Sequence, residues 1–218
     1  TSANAISVYR MQTDGWAFET RAVEDGFAGI AGIDEAGRGP LAGPVVSAAV
    51  ILPRPCRLEG IADSKKLTPK KRKRLYAQLY DEAVSIGIGI VDAVEIDRIN
   101  ILQASLLSMA MAAANLKPRP DYLLIDGIFQ IPFDLPQRPI AKGDALSISI
   151  AAASIVAKVT RDRIMERYDQ DYPEFGFSRH KGYPTSAHRE AIRRFGCCPI
   201  HRTSFKGVRE FLAPPCGK

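Results

Sequence analysis

Gly32-Ile33-Asp34-Glu35-Ala36-Gly37-Arg38-Gly39-Pro40 sets two adjacent carboxylates where an apolar run from Phe27 to Ile33 breaks into a glycine-rich turn. Successive side chains on a strand point to opposite faces. Asp34 and Glu35 are therefore expected to share one site only if the strand ends between them. Gly37 and Gly39 let a backbone approach a ligand closely, and Arg38 between them offers a planar fork for phosphate. Carboxylates beside a phosphate binder make chemical sense when a cation lies between them, so the pattern points to metal-assisted phosphoryl chemistry. The plainer reading, an aspartate that ends a strand and opens a turn, stands beside it.

Outward from this stretch the chain alternates strands and helices. Phe27–Asp34 reads as a first strand and Val45–Leu52 as a second, closed by Pro53 and Pro55. Thr68-Pro69 has the form of a helix start, a cap followed by proline in the first turn, and that helix should run to about Val84. Ser85–Val91 alternates like a strand. Leu102, Leu106, Met109 and Ala113 recur at helix spacing within an expected helix from Glu95 to Leu116. Asp121–Asp126 is a short buried strand, and Pro139–Ala141 a further short one. A long helix is expected from about Ala145 to Tyr168, and a last one over Ser186–Phe195. The order predicts an α/β fold with one mixed sheet flanked by helices. Open sheets of this class bind ligands beyond the carboxyl ends of their strands, where Asp34 and Asp126 both fall.

The bulk numbers narrow the class of partner. A chain of 218 residues with 46% hydrophobic residues suits one domain with a sizeable core. The formal charge of +6 and pI near 9.2 mildly favour a polyanion. The charge is concentrated, since Lys65, Lys66, Lys70, Lys71, Arg72, Lys73 and Arg74 crowd one short segment. Such a run is usually a solvated face. Here it lies at and just before a helix N-terminus, where the dipole disfavours cations and phosphate would relieve the mismatch. Cys56, Cys197, Cys198 and Cys216 form no CxxC pair or zinc spacing, so a reduced, cytoplasmic setting is expected. No apolar run is long enough to span a bilayer, and the N-terminus lacks a secretory layout. Residues 1–26 carry no motif and read as an extension, partly ordered at best, ahead of one domain over 27–218.

Longer motifs sharpen this reading. The full run from Gly32 to Val46 resembles the signature of ribonuclease HII, the type 2 ribonuclease H family. The resemblance continues through Asp63-Ser64-Lys65-Lys66-Leu67, Asp126-Gly127, Lys142-Gly143-Asp144, the segment from Ala151 to Asp162, His180-Lys181-Gly182-Tyr183-Pro184 and His201-Arg202-Thr203-Ser204-Phe205. It covers the chain from about Phe27 to about Leu212. It implies a ribonuclease H-like fold with a small helical C-terminal portion. It also implies a catalytic set of Asp34, Glu35, Asp126 and Asp144 holding two divalent ions, Mg²⁺ or Mn²⁺. Oxygen ligands without His or Cys suit these hard cations.

The resemblance further implies the substrate, an RNA/DNA hybrid or duplex DNA with embedded ribonucleotides, cut 5′ to the ribonucleotide to leave 3′-hydroxyl and 5′-phosphate ends. It assigns reading of the 2′-hydroxyl to Gly37, Arg38 and Gly39 with Tyr183, and tips Ser64 and Lys65 toward backbone contact. Read as residues alone, several of these keep plainer roles. Asp126-Gly127 is a turn dipeptide, Asp144 is a candidate N-cap of the long helix, and a loop tyrosine is more often packed than functional. Asn100 either caps its helix or contacts the substrate backbone. Asp162 lies roughly 27 Å along the helix from Asp144 at 1.5 Å per residue, too far for one metal site, and suits an ion pair. The three histidines show no ligand spacing, and His201 is expected to orient local structure. A monomer without a clamp-binding tail is expected. The rival classes are another two-metal nuclease on this fold, such as ribonuclease HIII or a DNA exonuclease, and a non-catalytic nucleic-acid-binding module. Four carboxylates argue against the last, because an acidic cluster repels phosphate unless metal is bound.

Overall fold

The computed structural model describes residues 15–56, 58–61 and 67–212. Ser64, Lys65 and Cys216 lie outside the described residues, as do residues 1–14. The order of elements is α1 (Ala17–Glu24), β1 (Ile30–Ala36), β2 (Val45–Ile51), α2 (Pro69–Glu82), β3 (Ser85–Val91), α3 (Ala93–Ile99), α4 (Ile101–Ala114), β4 (Tyr122–Asp126), β5 (Gln137–Ile140), α5 (Ile148–Asp171), α6 (Phe177–His180) and α7 (Ser186–Phe195). The sheet order is β3-β2-β1-β4-β5. β1 and β3 flank β2 in antiparallel pairs, whereas β1–β4 and β4–β5 are parallel. This is the mixed sheet expected from the alternation of elements.

Period-two alternation assigns the two faces of the sheet. Ala48 and Val50 of β2 face the cluster built with Ala152, Ile155 and Val156 of α5. Ala49 and Ile51, with Ala31 and Ile33 of β1, face Met109, Ala112 and Ala113 of α4. α5 lies so close to β1 that a Cβ on Gly32 would come within 2.1 Å of the Ser149 carbonyl carbon. Glycine at 32 thus seats the first turn of α5 on the strand that carries Asp34.

Strand β1 is shifted to Ile30–Ala36 and β5 to Gln137–Ile140, and two expected helices also differ. The helix expected over Glu95–Leu116 is two helices, because Asn100 takes φ 71° and breaks the run. Asparagine tolerates positive φ better than most residues, and its Oδ1 accepts the N–H groups of Leu102 and Gln103 to start α4. The long helix begins at Ile148, three residues later than expected. Its cap is Ser147, which accepts from the Ile150 N–H, so Asp144 is not the N-cap. Asp144 sits instead in a 3₁₀ turn, Gly143–Ala145. Asp162 pairs with Lys158 at 2.7 Å, as its place on the helix implied.

The described part of the N-terminal segment is helical. Phe18 and Ala22 of α1 pack against Ile30, Leu124 and Ile150. Glu19, buried, accepts from Ser147 Oγ at 2.6 Å and from the Ser149 N–H at 3.0 Å at the start of α5.

Gly32→Ala is expected to lower stability by about 1–3 kcal/mol through overpacking against a helix backbone that cannot yield locally. Urea unfolding of the two proteins would measure it, and an unchanged midpoint would show that α5 can shift on the sheet.

Candidate active site

The β1–β4 pairing runs from Ile30–Tyr122 to Ile33–Ile125 and stops there. Asp34 and Asp126 are the next residues on each strand, side by side at the carboxyl ends of two parallel neighbours. β1 itself does not end between Asp34 and Glu35, as had been expected. It stays paired with β2 as far as Ala36–Val46. The two side chains therefore leave opposite faces of the sheet, Asp34 on the α5 side and Glu35 on the α4 side. They still converge, because β4 no longer pairs with β1 at that level. Carboxylate oxygens of Asp34, Glu35 and Asp126 all lie within 4.8 Å of one another. Asp34 also bends back to accept the Glu35 N–H at 2.7 Å.

Asp126 is held by the loop ahead of α5. Its Oδ1 accepts the Gly143 N–H at 2.6 Å. A Cβ at Gly143 would stand 2.6 Å from Ile150 Cδ1 and 3.3 Å from Asp126 Oδ1, so a larger residue there would displace the Ile150 side chain and crowd the Asp126 carboxylate. The same turn carries Asp144, which is buried and close enough to Asp34 to raise its pKa. Asp144 supplies no atom to the tight three-residue cluster.

Burial raises the Asp34 carboxyl well above its usual range, with Glu35, Asp126 and Asp144 adding repulsion. Burial also raises Glu35, opposed by the Arg38 guanidinium 3.4 Å from its Oε1. Glu35 Oε2 is buried without a hydrogen-bond partner. Mutually repelling, dehydrated carboxylates with an unsatisfied oxygen are stabilised by a cation, and an all-oxygen donor set fits a hard divalent ion. The residues present therefore fit the metal that the sequence implied.

The carboxylates open into a groove of about 390 Å³ lined by Arg38, Lys142, Leu102, Met109, Ile128 and Phe129 among others. Its wall toward the C-terminal helices is the turn after β1. Gly37 has φ 104°, and a Cβ there would fall 2.1 Å from Arg161 Nε. A Cβ at Gly39 would lie 3.7 Å from Tyr183 Cε1, which places the Gly-Arg-Gly turn directly beside the half-exposed Tyr183 ring. Asn100 caps α4, whose next residue but one, Leu102, lines the groove.

Tyr183 is positioned by its backbone. Its carbonyl accepts from the Thr185 N–H at 2.8 Å and faces His188 Nδ1 at 3.0 Å. His188 Nε2 lies 3.1 Å from His201 Nε2, and His201 Nδ1 faces the Cys198 N–H at 3.0 Å. Burial lowers both histidines to about 4, so both are neutral. One tautomer pattern satisfies the chain. His201 accepts at Nδ1 and donates from Nε2, and His188 then donates from Nδ1 to Tyr183. His201 thus orients local structure, and the absence of ligand spacing among the histidines has a physical meaning.

The sequence reading missed Arg161 and Arg202. Both are fully buried. Arg161 donates to the carbonyls of Pro44, Lys181 and Ala42. Arg202 donates to those of Gly43, Arg38, Pro40 and Gly37. Asp97 of α3 clamps the segment after Arg202 by accepting from the backbone and hydroxyls of Thr203 and Ser204. Their signal was present only as matched motif letters, since no spacing rule marks an arginine whose partners are main-chain carbonyls.

A carboxylate cluster beyond the carboxyl ends of a five-stranded mixed sheet, between helices on both faces, places the chain among the ribonuclease H-like hydrolases. Residues 31–208 match the model of the family Ribonuclease HII, and the chain belongs to that family. It is 57% identical to Ribonuclease HII of Geobacter metallireducens over 199 residues, covering 91% of this chain and 93% of the relative. Among solved structures it is similar to ribonuclease H2 from Pyrococcus horikoshii, with TM-score 0.71 and 30% identity over 84% of this chain and 97% of that one. Bst-RNase HIII in complex with Mn²⁺ shares the fold, with TM-score 0.65 at 19% identity over 84% of this chain and 68% of that chain. The chain is accordingly a hydrolase acting on RNA in RNA/DNA hybrids, in a family that uses divalent metal ions.

Asp34 binds its proton more tightly folded than unfolded when metal is absent. Its contribution to stability is then lost as pH rises from the unfolded carboxyl value near 4 through the raised folded value. Asp34→Asn should consequently raise the melting temperature of the chelator-treated protein at pH 7 while abolishing hybrid cleavage. A lower melting temperature in EDTA would contradict the electrostatic account.

Proposed function

We propose that this protein incises duplex DNA on the 5′ side of embedded ribonucleotides, besides cutting the RNA strand of hybrids. Asp34, Glu35, Asp126 and Asp144 hold two divalent cations, Mg²⁺ or Mn²⁺. The cations supply charge stabilisation at the scissile phosphate. Water attacks the phosphorus, the bond to the upstream 3′ oxygen breaks, and that oxygen leaves as a 3′-hydroxyl with the phosphate kept on the ribonucleotide. The observation that supports this reading is that Arg38 of the Gly37-Arg38-Gly39 turn lines the carboxylate groove while Gly39 of the same turn lies beside the Tyr183 ring. Main-chain N–H groups at such a turn suit a 2′-hydroxyl, the group that separates RNA from DNA. The Tyr183 ring suits stacking on the sugar 3′ to the ribonucleotide.

Arg38 shares the groove with Glu35 and is half-exposed, so its guanidinium is free to turn from the carboxylate to a substrate phosphate. Ser64, Lys65 and Asn100 extend the contact along the backbone. Binding through phosphates is sequence-independent and weakens steeply with salt. No described helix is long and apolar enough to cross a membrane. The enzyme acts as a monomer in the cytoplasm.

A duplex with one ribonucleotide, incubated with Mg²⁺, Mn²⁺ or EDTA beside an all-DNA control, tests the proposal. A metal-dependent cut 5′ to the ribonucleotide, with 3′-hydroxyl and 5′-phosphate ends, is expected. Cutting of long hybrids alone would remove the junction reading and favour a ribonuclease HIII-like specificity. Tyr183→Ala should reduce kcat/KM on the single-ribonucleotide duplex by about fivefold to 150-fold, as loss of a stacking contact of about 1–3 kcal/mol implies. Its melting temperature should stay close to that of the native chain, because the ring is 44% exposed. Unchanged junction kinetics would refute the stacking role.

A further inference from the structure

The turn after β1 is held from beneath by two arginines. Arg202 Nη2 donates to the Gly37 carbonyl at 2.6 Å, and Nη1 to the carbonyls of Arg38 at 3.0 Å and Pro40 at 2.9 Å. Nε donates to the Gly43 carbonyl at 3.0 Å. Arg161 lies alongside and bridges Ala42 and Pro44 to Lys181, two residues before Tyr183. Among the described residues neither guanidinium pairs with a carboxylate. Two cations are therefore buried with main-chain carbonyls as their hydrogen-bond partners, Arg202 also lying 5.1 Å over the Phe205 ring, although burying a charge without a paired counter-ion is costly. An apolar side chain in either place would leave those buried carbonyls without donors, so the guanidiniums fix the course of the main chain and do more than fill space.

The geometry of the peptide unit supplies one. In a planar trans peptide the C=O of one residue and the N–H of the next point in opposite directions. A carbonyl drawn inward by an arginine turns the following N–H outward. Pro40 and Ala42 illustrate the rule, since the N–H groups of Leu41 and Gly43 are directed away and taken by the carbonyls of Gly182 and Ile200. Arg202 fixes the carbonyls of Gly37 and Arg38 in the same way. The N–H groups of Arg38 and Gly39 must then point away from the guanidinium, on the exposed side of the turn that carries Tyr183.

We infer that Arg202 is the positioning residue for ribose recognition: it holds two consecutive carbonyls so that the Arg38 and Gly39 amides are aimed, ahead of binding, at the 2′-hydroxyl of the substrate. Arg161 locks this turn to the Tyr183 segment, so that the amides and the ring meet the same sugar together. The Leu41 N–H to Gly182 carbonyl bond, 2.8 Å, ties the same two segments. The inference rests on the proposed reading of the 2′-hydroxyl by this turn and names what enforces it. Lysine could keep the buried charge and the aliphatic stem, but it lacks the planar fork that spans four carbonyls.

The test compares native protein with Arg202→Lys. Each is titrated by fluorescence anisotropy, in Ca²⁺, with an all-DNA duplex and the same duplex carrying one ribonucleotide, the strands being checked as intact. Native protein should prefer the ribonucleotide. In Arg202→Lys that preference should fall by roughly tenfold, the scale of one hydrogen bond lost from a pre-aimed pair, while affinity for all-DNA duplex is kept. A variant that is less stable to heat but retains the full preference would overturn the inference and leave only a structural role. No preference in the native protein would overturn the 2′-hydroxyl reading and the inference with it, which distinguishes the two failures. The native chain provides a check that needs no folded variant. The Arg38 and Gly39 amide resonances should shift on adding the ribonucleotide duplex and not on adding the all-DNA one, and equal shifts with both would also overturn the inference.

Discussion

The parallel pairing of β1 with β4, and its end at the Ile33–Ile125 pair, is the constraint on which the site depends. Parallel neighbours point their carboxyl ends the same way, so the residues that follow, Asp34 and Asp126, emerge together at one rim of the sheet. β1 continues along β2 and carries Glu35 out on the other face. Helices on both faces then close in. α5 sits on Gly32 and brings the turn that bears Asp144, while α4 forms the opposite wall of the groove. The separate strand and helix signals in the chain become one cluster only because these registers are held.

That cluster works against folding. Dehydrated carboxylates with like charge cost stability when both are ionised, and the raised pKa values of Asp34 and Glu35 are the same cost expressed in protons. A divalent cation bound there would remove the repulsion, satisfy the unpartnered Glu35 oxygen and displace the protons, which would couple metal affinity to pH. The surrounding core, with α5 and α4 packed on opposite faces of the sheet, supplies the stability that lets such a centre persist.

The turn after β1 repeats this economy with the opposite sign. Arg161 and Arg202 are buried cations satisfied by main-chain carbonyls, and burial lowers them to about 10 and about 9. Carbonyls gathered inward leave amides directed outward, so a cationic nail beneath the turn becomes a donor surface above it. The neutral relay from Cys198 through His201 and His188 to the Tyr183 carbonyl braces the facing segment. The two loops are thereby tied to each other and to α5 through main-chain carbonyls.

Much of this was legible in the chain. The alternation of strand and helix patterns sufficed for the mixed sheet, because periodicity and turn chemistry are local, and the resemblance carried by the long motifs gave the family. The break at Asn100 was not legible, since a positive φ there depends on a side-chain cap that competes with an otherwise continuous apolar helix pattern. Nor was the cap at Ser147, since the sequence reading offered Asp144 for that role. The meeting of Asp34 with Glu35 was anticipated for the wrong reason. The strand does not stop between them, and their convergence around an edge that β4 no longer pairs with is a property of the sheet, not of the segment. Arg161 and Arg202 were read only as letters in a motif. By itself the sequence determined which residues carry charge and which segments alternate as strands and helices. Only the tertiary structure decided which carbonyls those two arginines hold, because main-chain partners leave no mark on side-chain patterns.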